Sequence, residues 1–199
     1  MIKIIPAFII AAAFLHTESR AAGADFGDQL SGSYNHIGLG FTAGDYGYSA
    51  AIVNASISLG RVPYLFAVGT AGGKSDYGTN NYYGIGIGFR IHTSQATALD
   101  IDLGYALQKT DINPDNHMIS LGLGFRAAAS DSITLIARAR YFISNITVYN
   151  NAVYAENFTE LSLISSFYIN ERFSIDADFG KNIGQYDDFR YGLSAVYHF

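Results

Sequence analysis

The sequence predicts an all-β chain closed into an antiparallel, up-and-down transmembrane β-barrel, most simply of ten strands, with eight as the alternative count. Three observations lead there. Apolar and small or polar residues alternate with a period of two along most of the chain, the pattern of strands that face two different environments. Charged residues make up only 15% of the 199 residues, against about 25% in an ordinary soluble domain. The charges on the polar face of the strand interiors balance, and the positive ones are all arginine.

The N-terminus reads as an export signal over residues 1–24. Lys3 gives the positive charge, and Ile4 to Leu15 give an apolar stretch too short to cross a bilayer as a helix. Ala22 and Ala24 fit small-x-small cleavage after Ala24. Residues 25–199 then form the barrel domain. There is no cysteine, so no disulfide framework is expected. The net charge of −5 offers no basic field for nucleic acid. Lysine is scarce: beyond Lys3 there are only Lys74, Lys109 and Lys181. No later stretch reaches the roughly 18 apolar residues of a membrane helix. An exported, charge-poor chain of this kind enters lipid by closing a sheet on itself, because open edges do not survive in hydrocarbon.

Ten alternating segments follow the signal, at about 33–42, 46–60, 62–73, 81–92, 97–110, 117–128, 132–144, 154–169, 172–183 and 188–199. Several reach the 9–11 tilted residues that span a bilayer. The fourth sets Tyr83, Ile85, Ile87, Phe89 and Ile91 against Tyr82, Gly84, Gly86, Gly88 and Arg90. The fifth sets Leu99, Ile101, Leu103, Tyr105 and Leu107 against Asp100, Asp102, Gly104, Ala106 and Gln108. The second and third are less regular, with Arg61 and Pro63 marking a turn and Gly72–Gly73 reading as a plain turn. Connections near residues 60–63, 93–96, 129–131 and 170–172 are short. Those near 74–80, 111–116, 145–156 and 182–187 are longer, and only the one at 43–45 is brief in that set. Short periplasmic turns and longer outer loops are the rule in such barrels. Within residues 145–156, Asn150–Asn151 suits a hairpin tip, one residue out of phase with the strands below it unless a bulge intervenes; an ordinary loop is the alternative.

The polar face decides which way the wall turns. It carries Arg90, Arg126, Arg138, Arg140 and Arg190 with Asp100, Asp102, Glu160, Asp176 and Asp178. A solvated exterior would use lysine and need no balance. A narrow lumen needs both signs, since unpaired buried charges cost several kcal/mol each. Turn positions set Arg90 opposite Asp100, Arg140 opposite Glu160 and Asp178 opposite Arg190, with Arg126 across from Asp100 or Asp102. Interior glycines leave room for long side chains. Such a lattice serves either as a plug that holds the wall together or as an ion-selective constriction. Phe167, Phe173, Tyr197 and Phe199 gather towards the periplasmic rim, and Tyr83, Tyr105, Tyr141 and Tyr191 towards the outer one, as interface aromatics do.

The signal, the barrel pattern over about residues 33–199 and the ending Tyr191-Gly192-Leu193-Ser194-Ala195-Val196-Tyr197-His198-Phe199 together resemble the small outer-membrane β-barrel proteins of Gram-negative bacteria, of the OmpX and opacity-protein type. The resemblance implies residence in the outer membrane, among its lipids and lipopolysaccharide. It also implies passage past periplasmic chaperones to the outer-membrane assembly machinery, with Tyr191, Leu193, Tyr197 and Phe199 as the assembly signal.

No catalytic site or cofactor is expected. Asp115-x-His117 resembles the Asp–His pair of omptin proteases, which need a second acidic pair beside it. Asp102 lies about 19 Å of height below the outer end of its strand, too far to share a water with His117. Asp187–Asp188 lies at the outer rim but reads as a solvated loop. A lipid A deacylase would need His, Ser and a carboxylate on one wall, and His117 and Ser120 fall on opposite faces of one strand. His36 and His198 show no nucleophile motif. There is no Cys/His cluster for a metal. The expected function is therefore a non-enzymatic structural or surface-interaction barrel with a plugged lumen, the alternative a narrow channel for small solutes or ions.

Overall fold

The structure, a computed structural model, describes residues 34–75, 78–111, 116–144, 147–149, 152–154, 157–184 and 188–199. The export signal at 1–24, the first residues of the expected barrel domain, Asp115, Asp187 and the Asn150–Asn151 tip lie outside the described residues. The chain forms β1 (His36–Gly44), β2 (Ser49–Ser58), β3 (Pro63–Ser75), β4 (Gly78–His92), β5 (Thr97–Thr110), β6 (Asn116–Ser130) and β7 (Ile133–Ser144). It continues with β8 (Thr147–Tyr149), β9 (Ala152–Tyr154), β10 (Phe158–Asn170), β11 (Phe173–Gly184) and β12 (Asp188–His198).

Ten of these strands close a barrel in chain order, each antiparallel to its neighbours, and β12 returns to pair with β1. That seam runs without interruption from His36↔His198 to Gly44↔Arg190. At the outer rim Asp45 reinforces it. Its carboxylate accepts from the Phe189 amide at 2.9 Å, and its own amide donates to the Phe189 carbonyl at 2.9 Å. With both edges joined, every rung of the sheet has a partner strand, which hydrocarbon demands.

Apolar side chains face outward. Phe41 is 76% exposed and Leu103 50%, whereas Arg90 is 2% exposed and Asp100 fully buried. The period-two pattern therefore encloses the charges and presents grease to lipid. Tyr83, Tyr105, Tyr141 and Tyr191 stand exposed on that outer wall. At the other end the Phe173 and Tyr197 rings lie 5.2 Å apart, and Tyr197 stacks on Phe199 at 6.5 Å.

Two local features differ from the sequence expectation. Gly72–Gly73 is not a turn. It sits in a bulge inside β3, where the register with β4 slips between Gly69 and Lys74. Gly72 has φ +67°, and a side chain at Gly73 would collide with the Asn80 carbonyl. Side chains take over the lost rungs: Thr70 Oγ1 accepts from the Tyr82 amide at 2.7 Å, and Asn81 Oδ1 accepts from the Gly73 amide at 2.9 Å. The eighth membrane strand also starts at Phe158 rather than 154. Ala152–Tyr154 belongs instead to β9, which pairs with β8 as a separate two-stranded hairpin. That hairpin pairs Thr147 with Tyr154, while the barrel pairs Arg140 with Glu160. The two registers differ by one residue, the phase offset that a tight tip imposes.

Leu103 lies midway along β5 and faces outward. Leu103→Arg places a charge in the middle of the lipid and is expected to lower stability by about 2–4 kcal/mol. Urea unfolding in vesicles, followed by far-UV circular dichroism, measures it.

Candidate functional site: the barrel lumen

The inward positions of β4–β7 and β10–β12 supply the charges, and those of β2–β4 supply mostly rings and aliphatic groups. On the charged side three clusters form. Arg126 Nη2 lies 3.5 Å from Asp100 Oδ2. Arg140 donates through Nε to Asp102 Oδ1 at 3.1 Å, with Nη2 also at 3.1 Å. Arg190 Nη1 lies 2.9 Å from Glu160 Oε2, and its Nη2 3.8 Å from Asp178 Oδ2.

Two expected pairs form, Arg126 with Asp100 and Arg190 with Asp178, whereas Arg90 with Asp100 and Arg140 with Glu160 do not. Arg90 is level with Asp100 and Arg140 with Glu160. Yet Arg90 Nη2 donates to Ser58 Oγ and to the Gly60 carbonyl, at 2.9 Å for the latter. Arg140 turns to Asp102, and Glu160 takes Arg190 instead. Asp178 is level with Gly192, and Arg190 with Gly180, so that pair is diagonal.

Glycines explain the exchange. Asp102, Gly122 and Arg140 lie at one level on β5, β6 and β7. A Cβ on Gly122 would fall onto the Asp102 carboxylate. The bare middle strand therefore lets Arg140 reach across it. Gly180 plays the same part on β11, level with Arg190 on β12 and Ser162 on β10. Gly86 and Gly88 serve a different need. A Cβ there would strike the Phe66 and Tyr64 rings, so they make room for aromatics rather than for arginines, contrary to expectation.

Tyr34 was not anticipated. It precedes β1 yet is buried, and its hydroxyl donates to Asp100 Oδ1 on β5, four strands away round the ring. Its ring lies between two guanidinium groups, Arg90 Cζ at 4.0 Å and Arg126 Cζ at 4.5 Å from the centroid, with the Tyr64 ring at 4.9 Å. Desolvated contacts of this kind are worth about 2 kcal/mol each. Asn35 fixes the crossing: its Oδ1 accepts from the Ser58 amide at 2.7 Å and its carbonyl from the Phe199 amide at 3.0 Å. Tyr34 falls within the first alternating segment expected at 33–42, but the strand itself starts at His36, and nothing local marks the crossing.

Beside these clusters runs a cavity of about 370 Å³. It reaches Asp45, Asn80 and Asp188 at the outer rim, and His36, Tyr168 and His198 at the other end. Ile52, Tyr64, Phe66, Val68 and Tyr82 line one wall, and Arg138, Glu160, Asp176, Asp178 and Arg190 line the facing one. Neither Arg138 nor Asp176 has an ion-pair partner among the described residues. At the periplasmic end Ser174 Oγ lies 2.9 Å from His198 Nε2 and donates to Asp176 Oδ1 at 3.0 Å. His117 bonds the Tyr105 hydroxyl on the lipid side, while Ser120 is buried inside. No group of three His, Cys, Asp or Glu able to hold a metal occurs among the described residues. Tyr191 and Leu193, expected as part of an assembly signal, are exposed on the lipid face.

A family described as "Protein of unknown function, DUF481" matches residues 64–199. Among solved structures, the KdgM porin is similar with a TM-score of 0.50 at 11% identity, over 82% of this chain and 99% of that one. The NanC porin is similar with a TM-score of 0.53 at 8% identity, over 82% and 98%. These likenesses show the fold, a closed antiparallel β-barrel. No curated protein sequence matches.

Asp102→Ala leaves the buried Arg140 guanidinium without its carboxylate. The expected loss is about 3–5 kcal/mol, and Asp102→Ala with Arg140→Met should recover most of it. Urea midpoints of the three proteins in vesicles compare them.

Proposed function

This chain belongs to the DUF481 family, and we propose that it acts as a narrow, non-enzymatic channel for small solutes or ions in the bacterial outer membrane. The observation that carries the reading is the cavity that runs from the outer rim to the far end past Tyr34. A plugged wall would need its charges quenched against one another. Here three arginine–carboxylate clusters are drawn to the sides, and Arg138 and Asp176 are left facing the open space. Its bore suits ions and small molecules rather than polymers. The export signal at residues 1–24, the lipopolysaccharide surroundings and the assembly route through Tyr191, Leu193, Tyr197 and Phe199 are parts of the same proposal. So is kinship with the OmpX and opacity-protein type, which rests on the export signal, the alternating pattern and the closing motif.

A second reading, a structural barrel held shut, draws on the Tyr34 crossing, which covers the β4–β6 side of the lumen. Planar-bilayer recording separates the two. Purified protein is expected to give small, steady conductance steps in symmetric salt, and Tyr34→Ala to enlarge them at least twofold. Silence from both proteins would leave the structural barrel standing.

A further inference from the structure

The lumen cavity has two walls of opposite character and carries both signs of charge with incomplete partners. Arg138 has no ion pair among the described residues, and its Nε is buried without a hydrogen-bond partner. Asp178 reaches Arg190 only at 3.8 Å, and its Oδ1 is buried without a partner. Both residues line the cavity. They stand on β7 and β11, with β10 between them. Asp178 is level with Ile164, and Ile164 with Ile136, one inward step below Arg138. Strand spacing then puts their Cα atoms roughly 12 Å apart, a gap that two side chains and a small bifunctional molecule can fill. Tyr64 and Phe66 face this gap from the other wall.

A purely anionic solute would meet Asp176 and Asp178. A purely cationic one would meet Arg138 and Arg190. An uncharged one would leave Arg138 without a counter-charge and Asp178 Oδ1 without a partner, and buried polar groups left so carry a cost. We infer that the lumen holds a binding site for a small zwitterion with an apolar side chain, of the free amino acid class. Arg138 takes its carboxylate, Asp178 its ammonium, and the Tyr64–Phe66 wall its side chain. A volume of about 370 Å³ lies at the small end of ordinary ligand pockets, which fits a single residue rather than a chain. The inference rests on the reading that the lumen admits solute.

Calorimetric titration of the detergent-solubilised protein tests it with three probes. L-phenylalanine carries both charges, N-acetyl-L-phenylalanine lacks the ammonium, and L-phenylalaninamide lacks the carboxylate. L-phenylalanine is expected to bind, and each analogue to bind at least tenfold more weakly. Arg138→Gln should weaken L-phenylalanine tenfold and leave the amide unchanged. Asp178→Asn should weaken L-phenylalanine and leave the N-acetyl form unchanged. A merely structural role would weaken all three together. Equal affinity for the three probes on the unaltered protein, or no heat from any, overturns the inference without reliance on a variant. Conductance is recorded separately. Conduction without phenylalanine binding removes the site and keeps the channel, whereas binding without conduction keeps the site and removes the channel.

Discussion

Backbone closure is the constraint on which everything else here depends. In hydrocarbon an amide has no water to fall back on, so the sheet must end where it begins. The β1–β12 seam achieves this over nine consecutive registered pairs. Closure fixes the rest in turn. It makes one face of every strand an inside and the other an outside. It brings residues distant in sequence to one axis. It also makes the lumen narrow enough that inward side chains meet across strands they do not neighbour.

Narrowness governs the electrostatics. Ten charged groups enter a narrow space, and seven of them take an ion-pair partner within it. The matching runs over bare positions. Gly122 and Gly180 leave a strand without side chains between Arg140 and Asp102, and between Arg190 and Glu160. Arginine suits such spans because its fork keeps its geometry at the end of a long stem. The bulge in β3 lies beyond Tyr64 and Phe66, where the register with β4 slips.

The lumen is therefore asymmetric rather than uniformly polar. Tyr34 and its two arginines fill one side. Rings from β3 and β4 form a second, and charges on β7, β10, β11 and β12 a third. A space of this kind discriminates by shape and by sign together, which a simple ring of charges does not.

Much of the fold was legible in the residues. Ile85, Phe89 and Leu103 against Gly86, Arg90 and Asp102 set out the wall and its two faces, because the direction of successive side chains is a local property of an extended backbone. Balanced arginine and carboxylate on one face identified that face as the inside, because a buried charge needs its opposite whatever the details. Counting residues between turns favoured ten strands over eight and offered the phase offset above β7 and β10 beside an ordinary loop. Partner choice did not. Arg140 has Glu160 beside it and takes Asp102, Tyr34 crosses to Asp100, and Arg138 is left facing open space. Those outcomes depend on distances across the closed ring and on which intervening positions lack a side chain. Such distances exist only once the sheet has curved shut, so tertiary structure alone decided them.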